Sequence, residues 1–286
     1  MSNISPIDGR YKKNVSELGE YFSEQALMRH RVMVEVKYLL ALVEHKSFKK
    51  TRALSKKTFT SLKNLYVDFS LKDFKQIKKI EEKTNHDVNA VVVFISEKLK
   101  RAGRKDLVPL VHFGLTSEDI NNTAYSLMTK GAVDNIMIPS IKSVLKELKT
   151  LSKKTKSLPL LSLTHGQPAT TTTLGKELAV FISRVERELA LIKKMRLLAK
   201  FSGATGSYAA HNVAFPGFSW SVFSKRFINK LGLEQSPVST QIEPGDSLAE
   251  LFHSFVRINN IFSDFSLDMW LYISRNIFVQ KNIVGE

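Results

Sequence analysis

The stretch LGKELAVFISRVERELALIKKMRLLAK, residues 174–200, decides the fold class. Its apolar residues recur at steps of three and four, which is the period of an α-helix with one buried face. They are Leu174, Leu178, Phe181, Ile182, Val185, Leu189 and Ile192. The pattern predicts a long helix that continues to about Lys200.

Two other stretches show the same helical period. One begins near Asp246 and continues to Ile273, and the other runs from about Asn122 to Lys156. Pro139 lies inside the latter stretch and is expected to kink it, because proline cannot donate a backbone hydrogen bond. Long helices with apolar faces must pack on others, so these stretches predict a helix bundle or an oligomer of helices.

The first part of the chain has shorter helical patterns, for example over residues 20–45 and 72–100, separated by polar stretches. A domain boundary is predicted near the segment GRKDLVP, residues 103–109. The predicted fold class is therefore all-α. A small helical N-terminal domain would occupy residues 1–111, and an incomplete bundle of long helices, with no third domain, would occupy residues 112–286.

The composition excludes several classes of protein. The 286 residues include no cysteine, so disulfides, thiolate metal sites and cysteine nucleophiles are excluded. Hydrophobic residues make up 43% of the chain, which argues against wholesale disorder. The start of the sequence has no apolar core of a signal peptide, and no apolar run is long enough for a membrane span. We therefore expect a cytoplasmic protein with no membrane partner.

The formal net charge of +16 allows three interpretations: a nucleic-acid binder, an enzyme for polyanionic substrates, or a basic surface without a specific partner. The lysines form no single block and fall mostly on predicted helices. They lie at 46–63, 72–83, 98–105, 142–156 and 193–200. We expect most of them to be solvated helix surface, and no specific nucleic-acid partner is predicted.

Two polar clusters lie in the first part of the chain. In DGRYKK, residues 8–13, Arg10 and Tyr11 follow a turn signal, although an ordinary basic turn explains them as well. In TNHD, Asn85, His86 and Asp87 precede an apolar run. Asp87 could orient the imidazole or cap a helix. A metal site at His86 is disfavoured, because no second ligand lies at metal-binding spacing.

Three further polar segments accompany the long helices. Thr116 and Asp119, three residues apart, form the pattern of a capping box, and such a helix start, with the hydroxyls of Thr116 and Ser117, suits a carboxylate or phosphate. His165 lies in a Gly/Gln/Pro turn, where a histidine can act as general acid or base or be purely structural. Gln241 could hydrogen-bond a ligand. Polar groups at the ends of apolar helices suggest an anion site between helices or subunits.

Six motifs, taken in order, carry a resemblance to a known family. They are SPIDGRY, TNHDVNAV, HFGLTSEDINN, LSLTHGQPATTTTLGKE, GATGSYAAH and TQIEPGDSLAELF. The chain resembles the amino-terminal part of the adenylosuccinate lyase family, in particular its bacterial branch, within the fumarase/aspartase superfamily. The resemblance implies a mostly helical three-domain fold, a homotetramer with active sites shared between subunits, and no metal or organic cofactor.

The resemblance also implies a reaction and a set of site residues. Adenylosuccinate would be split into AMP and fumarate, and SAICAR into AICAR and fumarate. His165 matches the general acid of the family. The matching substrate-binding residues are Arg10 and Tyr11 at the phosphate, Asn85, His86 and Asp87 in a substrate-binding segment, Thr116 and Ser117 at a succinyl carboxylate, and Gln241.

One departure from the family pattern concerns the catalytic base. In the family a loop of the form GSSxMPxKxNP carries a serine base, and the printed sequence stops at VQKNIVGE before such a loop. The resemblance therefore implies that this chain, a fragment or a natural truncation, is inactive alone. Two alternatives remain open: another lyase of the superfamily, such as argininosuccinate lyase, and a non-catalytic basic helical binding protein.

Overall fold

The computed structural model describes residues 5–45, 47, 54–279 and 281. Within it the chain forms two compact units. The first unit combines Met1–Ile136 with Arg196–Gly245, and the second combines Met137–Met195 with Asp246–Glu286. The predicted boundary near residues 103–109 lies inside the first unit, and the division into domains stays a prediction.

Helices dominate both units, as the sequence predicts. In chain order they are α1 (Gly19–Phe22), α2 (Glu24–Glu44), α3 (Lys56–Val67), α4 (Leu71–Thr84), α5 (Asp87–Arg101), α6 (Ser117–Ala132), α7 (Ile138–Lys154), α8 (Leu174–Lys194), α9 (Ala209–Ala214), α10 (Trp220–Lys230) and α11 (Asp246–Ser274). The strands are β1 (Pro159–Thr164), β2 (Gln167–Thr173), β3 (Leu198–Ala199) and β4 (Glu234–Gln235). In the described residues, no helix is long and apolar enough to cross a membrane.

Helix α2 is the centre of the first unit. It begins at the N-cap Ser23, whose hydroxyl accepts the Ala26 N–H at 3.1 Å. Helices α1, α3, α4, α5 and α6 all pack against it. Its buried side chains include Val32, Val34, Glu35, Val36, Tyr38, Leu39 and Leu42. A helix that is apolar on nearly every side can be stable only when other helices surround it, as they do here.

The helical pattern over residues 72–100 corresponds to two helices, α4 and α5, separated at Asn85 and His86. Asn85 ends α4 in the left-handed conformation, with φ 49°, and its N–H donates to the Glu81 carbonyl at 2.8 Å. Asparagine adopts this conformation more easily than most residues. His86 is extended and begins α5. The apolar period continues across the break, so periodicity alone does not reveal it.

The second unit is a bundle of three long helices, in which α8 packs against both α7 and α11. All seven apolar residues of the predicted stripe in α8 are buried. Rings of Phe181 and Phe265 meet at 5.3 Å between centroids, and Arg257 Nε lies 2.9 Å from the Glu188 carboxylate. The α8 stripe therefore has the packing role that its period predicts.

The ends of these helices differ partly from the predictions. Helix α11 ends at Ser274, as expected, but α8 ends at Lys194 and does not reach Lys200. The chain beyond Met195 is extended, because β3 pairs in parallel with β4. A π-helical turn, Val133–Met137, precedes α7, and Pro139 lies in the first turn of that helix. Where a kink is predicted at Pro139, the structure has a π-helical turn just before this residue.

The THGQP turn belongs to a β-hairpin that the sequence analysis did not predict. Strands β1 and β2 are antiparallel, with Thr164 opposite Gln167. The two residues between them, His165 and Gly166, have φ values of 52° and 74°. Two successive positive φ values are typical of tight two-residue hairpin turns. The fold is therefore mostly helical, with two short sheets.

Candidate functional site

The amino-terminal end of α6, in the first unit, gathers four of the predicted site residues. Asp119 accepts the Thr116 N–H at 2.9 Å, so the predicted capping box is present. Gln241 Nε2 donates to Thr116 Oγ1 at 3.2 Å. Ser117 Oγ lies 3.5 Å from His86 Nε2. We call His86, Thr116, Ser117 and Gln241 the α6 cluster.

His86 owes its position to the break between α4 and α5. Its Nδ1 accepts the Asn89 N–H at 3.3 Å, so the imidazole caps α5. An accepting Nδ1 requires the proton of the neutral ring to be on Nε2. That N–H faces Ser117 at the start of α6 and is available to a ligand there. Asn85 supplies the left-handed turn, and its side chain is exposed.

Asp87 contacts a buried arginine in preference to the neighbouring imidazole. Arg31, only 3% exposed, lies 2.6 Å from Asp87 Oδ2 and donates through Nε to Asn121 at 2.9 Å. Burial would raise the pKa of Asp87, but the charge of Arg31 and the hydrogen bonds from Arg31 and the Val88 N–H together outweigh it, and the pKa is lowered. Asp87 thus ties the start of α5 to α2 and α6, which fixes His86 in place.

A buried ion pair lies directly behind the α6 cluster. Lys200 Nζ lies 2.8 Å from Asp119 Oδ1, and both side chains are 0% exposed. Asp119 also accepts the backbone N–H groups of Ser202 and Gly203, at 3.0 and 3.1 Å. The expectation of solvated helix surface for the lysines at 193–200 is therefore wrong for Lys200. Neither its charge nor its spacing distinguishes it from the exposed lysines.

Sequence reasoning assigned no role to His112, which lies four residues before Thr116. The ring Nδ1 of His112 is 2.6 Å from Glu35 Oε1, and the backbone N–H of His112 donates to Glu35 Oε2 at 3.2 Å. Burial would lower the pKa of His112, but the hydrogen bond and the negative charge of Glu35 outweigh it, and the pKa is raised. Glu35 is fully buried on α2 and therefore anchors the segment that leads to α6.

His211 was also missed, and it supports the same segment from the other side. The Tyr38 hydroxyl donates to the Phe113 carbonyl at 2.8 Å and lies 3.2 Å from His211 Nε2. A Cβ at Gly114 would come within 2.6 Å of the His211 ring, so only glycine fits there. Burial lowers the pKa of His211 to about 4, so this imidazole is neutral at physiological pH.

The other three predicted site residues are Arg10, Tyr11 and His165. Arg10 and Tyr11 are exposed, and the guanidinium carbon lies 5.6 Å from the centroid of the tyrosine ring. His165 is exposed in the second unit, at the tip of the β1–β2 hairpin. Its role as general acid stays a prediction. Among the described residues, no group of three or more His, Cys, Asp or Glu side chains could hold a metal ion.

Comparison with known proteins first identifies the family to which the chain belongs. The chain belongs to the Lyase family, whose model matches residues 9–284. It is 42% identical over 287 residues to adenylosuccinate lyase from Escherichia coli strain K12. It is 44% identical over 293 residues to adenylosuccinate lyase from Dictyostelium discoideum. These findings confirm the predicted resemblance to the amino-terminal part of adenylosuccinate lyase.

The matched lengths limit which properties of the relatives can be inferred for this chain. Both alignments cover all of this chain and 63% of the relative. Among solved structures, a fumarate lyase from Mesorhizobium sp. BNC1 matches with a TM-score of 0.73 and 21% identity. That match covers 90% of this chain and 57% of the other chain, and it supports the fold alone.

Proposed function

We propose that this chain provides the substrate-binding and general-acid part of an adenylosuccinate lyase. The reaction would release fumarate from adenylosuccinate, leaving AMP, and from SAICAR, leaving AICAR. The observation that supports this most directly is the α6 cluster, in which His86, Ser117, Thr116 and Gln241 converge on one helix start. The names and identities of the two relatives support the same substrate.

The electrostatics of the α6 cluster suit an anionic substrate. The first turn of α6 offers free N–H groups and the positive end of a helix dipole. Thr116 and Ser117 add hydroxyls, and His86 adds its Nε2–H. The charges of Asp119 and Asp87, which lie close by, are neutralised by Lys200 and Arg31. A carboxylate of the succinyl group would therefore meet hydrogen-bond donors.

The proposed chemistry is an elimination that needs no cofactor. A base removes a proton from the carbon beside a carboxylate, the C–N bond breaks, and the new C=C bond forms fumarate. The departing nitrogen takes a proton, which we assign to His165 as general acid. Arg10 and Tyr11 are proposed to hold the phosphate, since a guanidinium recognises phosphate through paired hydrogen bonds.

We also propose that the chain assembles with further copies into a homotetramer with shared active sites. Large apolar side chains on α11 are exposed, among them Phe252 at 50%, Val256 at 53% and Trp270 at 66%. Such faces are typical of protein–protein interfaces. A cysteine-free chain also suits the cytoplasm, where we propose that the enzyme works.

Binding of AMP and of fumarate, each measured by isothermal titration calorimetry, tests the proposal without requiring turnover. Gln241→Ala and His86→Ala should each weaken fumarate binding about tenfold, because each removes a hydrogen bond to a carboxylate. Two matched controls should bind normally. They are His253→Ala, an exposed histidine of α11, and Gln76→Ala, whose amide donates to Glu97 at 3.2 Å.

The alternatives give different results in the same experiment. A lyase for a substrate without a nucleotide would not bind AMP. A basic nucleic-acid binder would bind random duplex DNA, and this binding would weaken steeply with salt. Unchanged fumarate affinity in both cluster variants would contradict the proposed site.

A further inference from the structure

The first unit contains a polar cavity that shares no lining residue with the α6 cluster. It has a volume of about 840 Å³ and lies between α10, β4 and the loop that leads to α9. This size is in the range of pockets that hold small molecules. The residues that decide its chemistry are Arg196, Lys225, Tyr208, Glu234, Ser202 and Ser239.

The charges of this cavity favour an anionic group. Arg196 and Lys225 both line it, and both are exposed. In the part of the chain that the structure describes, neither has an ion-pair partner. A carboxylate, Glu234, also lines the cavity. Two cations without partners are suited to a phosphate, and a carboxylate accepts hydrogen bonds from ligand hydroxyls.

The hydroxyl groups of the cavity are already oriented. Tyr208 accepts a hydrogen bond from Gln235 Nε2 at 2.8 Å, which leaves its own O–H proton able to donate. Ser202 and Ser239, on different loops, lie 3.0 Å apart through their hydroxyl oxygens. Ser202 is buried, and its backbone N–H donates to Asp119 Oδ1 at 3.0 Å. The polar wall is therefore fixed before any ligand binds.

We propose that this cavity binds a sugar phosphate, either free or as part of a nucleotide. Arg196 and Lys225 would hold the phosphate, while Tyr208, the serines and Glu234 would hydrogen-bond the hydroxylated ring. The cations alone would suit many anions, and it is their combination with hydroxyls and one carboxylate that favours a sugar phosphate. This inference does not depend on the proposed lyase activity.

Isothermal titration calorimetry of the purified protein with ribose 5-phosphate tests the inference. The double variant Arg196→Ala/Lys225→Ala should weaken binding at least about tenfold, since both phosphate contacts are lost. The control Lys63→Ala/Lys75→Ala removes the same charge from exposed positions on α3 and α4 and should bind normally. Tyr208→Phe should weaken binding severalfold and leave the thermal midpoint nearly unchanged, because it removes one hydroxyl only.

Two outcomes would overturn the inference. One is no binding of ribose 5-phosphate at about millimolar concentration, the weak end of specific binding. The other is binding that survives in the double variant but is lost in His86→Ala, which would place the ligand at the α6 cluster. A parallel titration with AMP distinguishes the two ligand sources. In the double variant, loss of ribose 5-phosphate binding alone assigns the cavity to free sugar phosphates, and loss of an AMP-binding event that persists in Arg10→Ala extends it to nucleotides.

Discussion

The ammonium of Lys200 lies 2.8 Å from the Asp119 carboxylate, and neither side chain reaches solvent. Asp119 belongs to the first turn of α6, while Lys200 follows β3. The same carboxylate accepts the N–H groups of Thr116, Ser202 and Gly203. One buried charge pair therefore holds together the helix start of the α6 cluster and the loop that contributes Ser202 to the polar cavity.

Breaking this pair should destabilise the protein strongly. Lys200→Met leaves a buried carboxylate without its counter-charge, and we expect a loss of about 3–5 kcal/mol in the free energy of unfolding. The measurement is urea denaturation at neutral pH. Lys130→Met is the matched control, because Lys130 pairs with Asp134 on an exposed surface. This substitution should lower the free energy of unfolding by less than about 1 kcal/mol. Equal effects of the two variants would contradict the importance of the buried pair.

His211 should make the protein less stable in mild acid. The pKa of this imidazole is about 4 in the folded state, whereas an unfolded histidine titrates near 6.5. Between these values only the unfolded chain takes up the proton. The stabilising contribution is therefore complete above about pH 6.5 and is lost towards pH 4, by about 3 kcal/mol.

The measurement for His211 is the free energy of unfolding at several pH values between 4 and 7. His211→Phe should flatten the dependence, because the phenyl ring cannot titrate. The control His253→Phe changes an exposed histidine and should keep the wild-type slope. If His211→Phe keeps that slope as well, the imidazole does not carry the acid sensitivity.

Titration of His112 should make the stability of the protein depend on pH in the opposite direction. Its pKa is raised in the folded state, mainly because Glu35 overcomes the effect of burial. The stabilising contribution of the pair is complete below about pH 6.5, the unfolded value, and is lost as the pH rises through the folded pKa. Glu35→Gln should lower stability by about 2 kcal/mol at pH 6, the cost of a charge-assisted hydrogen bond, and by less in alkali.

Unfolding curves of the Glu35→Gln variant between pH 6 and 9 test this expectation. Glu97→Gln, a partly exposed carboxylate on α5, serves as the control and should show no such pH-dependent difference. A stability difference that stays constant across the range would mean that titration of His112 does not contribute.

His165 is predicted to donate the proton to the departing nitrogen. In a longer protein that also supplies the catalytic base, His165→Ala should lower kcat/KM for adenylosuccinate about 100-fold or more, as loss of a general acid does, while AMP binding changes little. Steady-state release of fumarate is the measurement. Thr171→Ala, an exposed residue of the same hairpin, is the control. Near-normal kcat/KM in His165→Ala would remove His165 from the mechanism.

Local patterns predicted the features that depend on local interactions. The stripe from Leu174 to Ile192 predicted a helix with one buried face, and that face is buried. Thr116 and Asp119 predicted a capping box, which needs only residues three apart. The break at Asn85 escaped prediction, since its left-handed conformation does not interrupt the apolar period.

The sequence by itself determined the helical class, the start of α6 and the family of the chain, because period, caps and motifs are all local properties. Only the tertiary structure decided that Lys200 is buried against Asp119, and that Asp87 pairs with Arg31. These partners are far apart in the sequence, and the pKa and burial of a charged group depend on what the fold brings against it. The number and spacing of the charged residues in the sequence do not reveal which of them pair.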